Sequence, residues 1–79
     1  MANDWTYDRA IDASGLKCPL PVLKARKALL AMAAGERLMV TATDPLAAID
    51  LPHFCTETGN RLVASAVEGD RHRFLIAKS

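Results

Sequence analysis

Gly15-Leu16-Lys17-Cys18-Pro19-Leu20-Pro21 joins an apolar strand pattern on one side to a long helical pattern on the other, and its prolines mark the boundary. The first turn of a helix has backbone N–H groups without internal acceptors, and proline, which lacks that donor, is tolerated there. Pro19 therefore reads as the first helical residue, with Cys18 as N-cap. A residue before proline is pushed out of the α region, which suits Cys18 but makes Leu20, ahead of Pro21, awkward; a start at Pro21 is the alternative. Either register places the Cys18 thiol at a helix N-terminus. Aligned peptide dipoles put roughly half a positive charge there, and cysteines so placed ionise below the ordinary value of about 8.5. Lys17 adds a full charge beside it, so a thiolate is expected. The same prolines remove amide donors, making this turn a poorer phosphate cradle than a glycine-rich loop.

Upstream, Tyr7 to Ala13 reads as a strand, with Tyr7, Ile11 and Ala13 alternating against Asp8 and Asp12. Gly15 allows the tight turn that follows. From Pro19 to about Ala34 the spacing is helical: Val22, Ala25, Leu29 and Met32 share one face, Lys24 and Lys27 lie on the other, and Gly35 is a plausible C-cap. Arg37 to Thr43 alternates and is rich in β-branched residues, as a strand requires. Asp44 and Pro45 read as the N-cap and first residue of a second helix running to Gly59 and Asn60, with a kink or late start expected from Pro52. Leu62, Ala64 and Ala66, a turn at Glu68-Gly69-Asp70, and His72, Phe74 and Ile76 then form a β-hairpin.

The order is β-α-β-α-β-β. A right-handed crossover makes the first two strands parallel and sets both helices on one face of a four-stranded mixed sheet. The predicted fold is thus an α/β (α+β) two-layer sandwich whose other sheet face no element covers. That face should be solvated or used for contacts.

At 79 residues the chain is long enough for one core, so residues 1–79 are expected to form a single domain. Half the residues are apolar (51%), a quarter charged (24%), and the net charge is +1, the balance of a soluble globular protein. No apolar run approaches the roughly 20 residues of a membrane span. The opening Met1-Ala2-Asn3-Asp4-Trp5 lacks the basic and apolar regions of a signal peptide, which points to the cytoplasm and to reduced thiols.

Cys18 stands on a loop at a helix entrance, where it is reachable. No second cysteine lies at Cys-x-x-Cys spacing, so no resolving thiol lies beside it. The competing reading is a buried cysteine acting as a small hydrophobe. Cys55, between Phe54 and Thr56 in the second helix, reads as a packing residue or, less simply, a resolving thiol. His53 reads as an exposed helical residue and His72 as a strand residue at the hairpin edge. Neither has ligand spacing to the cysteines, so no metal site is expected. Lys17, Lys24, Arg26 and Lys27 surround the start and outer side of the first helix, either as a solvated face or as a positive docking collar for acidic partner surfaces. With so small a net charge and no aromatic side chain in the cluster, direct nucleic-acid binding is not expected. Asp12 and Asp44 belong at the same sheet end as Cys18, Asp44 being accounted for as a helix cap.

These residues resemble the small TusA-like sulfur-carrier family, which includes SirA-like and YedF-like members. The likeness runs from about Ile11 to Lys78. It rests on Asp12-x-x-Gly15-Leu16-x-Cys18-Pro19-x-Pro21, Gly35-Glu36, Thr43-Asp44-Pro45, Asp50, Phe54 and Thr58-Gly59. Leu20 stands where some members have glutamate, which bears on the pathway served. The resemblance implies the two-layer sandwich and a sulfurtransferase-type carrier that holds sulfur on Cys18 as a persulfide, with no cofactor. It further implies a donor of cysteine desulfurase or rhodanese type, and an acceptor in tRNA thiolation, molybdenum-cofactor supply or sulfur oxidation. Two other readings stay open: a non-catalytic regulatory or RNA-binding module with a structural Cys18, and a redox sensor joining Cys18 to Cys55.

Overall fold

Alternation, helical spacing and turn residues resolve into β1 (Arg9–Ala13), α1 (Leu20–Leu30), β2 (Arg37–Ala42), α2 (Ala47–Thr58), β3 (Arg61–Glu68) and β4 (Arg71–Ala77) in a computed structural model. It describes residues 5–79. Residues 1–4, which carry most of the stretch read above for its lack of a signal peptide, lie outside the described part.

The sheet order is β1-β2-β4-β3, with β1 parallel to β2 and the other two pairings antiparallel. α1 packs over β1 and β2, and α2 over β3 and β4. The expected sandwich is therefore the observed one. Its core takes alternate residues of the central strands, Leu38, Val40 and Ala42 from β2 and Phe74 and Ile76 from β4, against Ala25, Ala28 and Leu29 of α1 and Leu51, Phe54 and Cys55 of α2. Val22 and Met32 pack against that core half-buried, as the helical spacing requires.

Several boundaries differ from the expected ones for local reasons. β1 begins at Arg9 rather than Tyr7, although Asp8 continues the contact by donating its N–H to the Arg37 carbonyl (2.9 Å) and accepting the Arg37 N–H on its carboxylate (2.9 Å). α1 ends at Leu30, short of Ala34, because the N–H groups of Ala31 and Met32 turn to the tighter carbonyls of Ala28 and Leu29. Gly35 is accordingly not a helix cap; its φ of +90° serves the turn into β2. α2 begins at Ala47, past the expected Pro45, and continues through Pro52. The carbonyl that Pro52 leaves unpartnered belongs to Ala48, an exposed residue of the first turn. Gly59 ends α2 in the left-handed conformation, with φ of +79°, as its position predicts.

The hairpin holds the clearest correction. Leu62, Ala64 and Ala66 do not share a face, because the register shifts between Leu62 and Ala64. Leu62 pairs with Ile76 and packs on the core, whereas Ala64 and Ala66 pair with Leu75 and Arg73 on the helix-free face. That face is not simply solvated either: Leu75 is only 2% exposed, lying between Met39 of β2 and Ala64 of β3. β4 is a central strand, so His72 is not at a sheet edge.

Candidate thiol site

Both helices start at the carboxyl end of the parallel pair β1 and β2, which brings the loop after β1 against the loop after β2. Three contacts fix the first loop. Ser14 N–H donates to the Asp12 carboxylate (2.9 Å), Gly15 N–H to Thr43 Oγ1 (2.9 Å), and Cys18 N–H to Asp44 Oδ2 (2.7 Å). Gly15 has φ of +80°, a conformation that disfavours any residue with a Cβ. The other oxygen of Asp44 accepts the Leu46 N–H (3.1 Å) at the entrance to α2. One carboxylate thus ties the Cys18 loop to the second helix. The two N–H donors, helped by Lys17 and His72, hold the Asp44 carboxyl below its usual range.

Pro19, not Cys18, occupies the N-cap position of α1, and the helix proper starts at Leu20 with Pro21 buried behind it. The two prolines carry no N–H, and Leu20 N–H is taken by the Lys17 carbonyl (2.7 Å). Little of the expected donor field therefore faces the thiol.

Cys18 is exposed and its Sγ–H donates to Asp50 Oδ2 at 2.7 Å. This hydrogen bond, followed by partial desolvation and then by the negative charges of Asp50 and Asp44, pushes the thiol above its ordinary pKa. The expectation of a resting thiolate is thus overturned: a hydrogen-bonded carboxylate outweighs a half-charge at a proline-rich helix end. Lys17, expected to activate the thiol, instead contributes its charge to Asp44.

The thiol opens into a groove of about 220 Å³ between the helices, lined by Cys18, Pro19 and Val22 on one side and by Asp50, His53, Phe54 and Glu57 on the other. The four α2 residues recur at helical spacing and so share one face. His53 is exposed, as expected, and its Nε2 lies 3.4 Å from Glu57. Asp50, one of the residues that carry the family resemblance, has no role that the sequence alone assigns. It lies far from Cys18 along the chain, and only the shared helical stripe with Phe54 hinted that it faces the same groove.

The four basic residues do not form one collar. Lys24 Nζ donates to the Asp12 carbonyl (2.7 Å), bracing α1 against the end of β1. Arg26 lines a separate depression with Leu29, Leu30 and Thr58, and Lys27 sits in the last turn of α1, where its charge suits the helix C-terminus. Three large apolar side chains are exposed in or beside the first turns of the two helices: Leu20 (48% exposed), Leu46 (51%) and Ile49 (66%). Cys55 is a core residue, 2% exposed, and burial pushes its thiol upward. Both cysteines are free. Among the described residues no group of histidine, cysteine or acidic side chains is arranged to hold a metal.

The described residues thus form a two-layer α/β sandwich that presents one accessible thiol, Cys18, between two helix starts. Residues 9–78 match the family of the sulfurtransferase TusA. The chain is 51% identical over 73 residues to the sulfur carrier protein TusA of Allochromatium vinosum, covering 92% of this chain and 96% of that protein. The crystal structure of a SirA-like protein from Desulfitobacterium hafniense has the same fold, with a TM-score of 0.78 and 25% identity over 89% of this chain and 96% of that one. The chain belongs to the TusA family.

Proposed function

We propose that this protein is a sulfur carrier that takes up sulfane sulfur on Cys18 as a persulfide and passes it to an acceptor protein. The observation that carries the reading is the exposed Cys18 sulfur in an open groove at the meeting of two helix starts. The transfer is balanced without an added oxidant. The Cys18 sulfur, once deprotonated, bonds to the outer sulfur of a donor persulfide, the donor's S–S bond breaks, and the donor's inner sulfur leaves as a thiolate. Delivery repeats the exchange with the acceptor's thiolate attacking the outer sulfur and Cys18 leaving.

The donor in this reading is a cysteine desulfurase or rhodanese-type protein, and the acceptor serves tRNA thiolation, molybdenum-cofactor supply or sulfur oxidation. The exposed Leu20, Leu46 and Ile49, in or beside the helix starts, fit protein docking, since exposed apolar groups mark contact surfaces. Transfer through a Cys18–Cys55 disulfide gains no support, because Cys55 is packed in the core and the Cys18 thiol is engaged by Asp50. No helix among the described residues is long and apolar enough to cross a membrane, in keeping with a carrier that works in the cytoplasm.

The test is intact-mass measurement after incubation with a sulfane-sulfur donor. The unmodified protein and Cys55→Ser are expected to gain sulfur that a reductant removes, and Cys18→Ser to gain none. Uptake that persists without Cys18 would overturn the reading.

A further inference from the structure

The groove holds a contact that carrier chemistry alone does not require. A nucleophilic sulfur is better served by a nearby cation than by an anion, yet the Cys18 Sγ–H points at Asp50 Oδ2, 2.7 Å away. Among the described residues no other side chain is hydrogen-bonded to that sulfur, and the opposite wall of the groove, Pro19 and Val22, is apolar.

We propose that Asp50 is a specificity-determining residue of sulfur loading: its carboxylate holds the empty carrier in the S–H form and disfavours anionic sulfur donors relative to neutral or cationic ones. This rests on the sulfur-carrier reading and adds to it which donors are admitted. In the empty state the hydrogen bond keeps the proton on sulfur, so the carrier is a sluggish nucleophile toward stray electrophiles. For loading, the proton must leave Sγ for the Asp50 carboxylate or for solvent before the Cys18 sulfur bonds to the donor's outer sulfur. The donor's inner sulfur departs as a thiolate. A donor bearing negative charge close to its sulfur must bring that charge against Asp50 at the moment of attack, and the departing thiolate adds another. A donor with a cation beside its sulfur neutralises Asp50 and relaxes the hold on the proton.

The other ionisable groups about the thiol are Asp44, whose charge acts on it, and His53 and Glu57, which line the groove from α2; Lys17 of the loop and His72 of β4 act on Asp44. α1 contributes none to the groove. Of these, Asp50 alone touches the sulfur. The upward push on the Cys18 thiol, whose first cause is this hydrogen bond, agrees with the geometry.

The test has two arms. In the first, alkylation of Cys18 by neutral iodoacetamide is followed across pH. Asp50→Asn is expected to move the profile to lower pH and raise the rate at pH 7 by about three- to tenfold, since one unit of thiol pKa is worth about tenfold in thiolate. In the second, sulfur uptake from the persulfide of cysteamine, which bears an ammonium beside its sulfur, is compared with uptake from the persulfide of glutathione, whose two carboxylates leave it a net anion. The unmodified protein should favour the ammonium-bearing donor by about fivefold or more at low salt. The preference should fall below about twofold in 1 M salt, where charges are screened beyond about 3 Å, and also in Asp50→Asn. A variant whose alkylation rate and donor preference both stay within twofold of the parent overturns the proposal. Should Asp50→Asn fail to fold by circular dichroism, the unmodified protein decides: a donor preference unaffected by salt overturns it. If neither persulfide loads while iodoacetamide still alkylates Cys18, the sulfur-carrier reading fails, and the alkylation arm still judges Asp50.

Discussion

Cys18 and Cys55 are both thiols whose proton is held more tightly than usual, and they are held by opposite means. At Cys18, exposed on a loop, the first cause is a hydrogen bond to a carboxylate of α2; at Cys55, on α2 itself, it is burial in the core. The difference bears on what each sulfur can do. A charge can be neutralised or displaced by a visiting protein in a single encounter. Burial is lifted only when the helix leaves the sheet, which amounts to local unfolding. A raised thiol pKa is therefore no argument against reactivity until its cause is known.

The sharpest way to break this contrast is competitive alkylation of the native protein. Cys18 is expected to react at least about a hundredfold faster than Cys55, with the two rates converging in denaturant, because only opened molecules expose the core thiol. Mass mapping of the labelled peptides reads the ratio, and equal native rates would erase the distinction. The burial side is sharpened next by Leu51→Ala. That side chain is fully buried beside Cys55 on α2, so its loss should lower stability by about 2–5 kcal/mol in urea unfolding and speed the labelling of Cys55.

A smaller effect comes from replacing each sulfur by oxygen. Cys55→Ser buries a hydroxyl in an apolar setting and should destabilise by about 1–3 kcal/mol, whereas Cys18→Ser, on the surface, should stay within about 0.5 kcal/mol of the parent. The smallest effect concerns the loop. Asp44 has a carboxyl held below its unfolded value by the Cys18 and Leu46 N–H groups. Its stabilisation is therefore complete above the unfolded pKa of about 3.9 and is lost as pH falls through the lower folded value. Asp44→Asn should accordingly lower the urea midpoint at pH 7, with the gap closing in strong acid. A gap independent of pH would show that Asp44 acts through packing rather than charge.

Much of this architecture was legible beforehand because it is written locally. Alternation marked the strands, Gly59 and the Gly69 turn marked stops that only glycine makes without strain, and the prolines at positions 19 and 21 marked a helix entrance. What escaped was non-local or depended on a single-residue offset. The bulge after Leu62 reverses the facing of the residues beyond it, and three small or apolar residues in alternation give no warning of that. The Lys24 ammonium could be placed on the outer face of α1 by periodicity, but not assigned to the Asp12 carbonyl that it reaches. The Cys18 thiol was read from the charge of its own helix. Its actual partner comes from the other helix, and the pairing depends on how far α2 is rotated over the sheet, which no short motif specifies.

The placement of β4 between β2 and β3 has a consequence for how such a chain assembles. β1 and β2 can zip together across α1, and β3 can curl back from α2, but these two halves share no ladder until Arg71–Ala77 slides between them. That strand is a keystone. A nick at the exposed Gly69-Asp70 turn would leave every side chain in place yet turn insertion of the keystone into a meeting of two molecules. Until that meeting, β2 and β3 would each present a bare strand edge to neighbouring copies, the usual opening for aggregation.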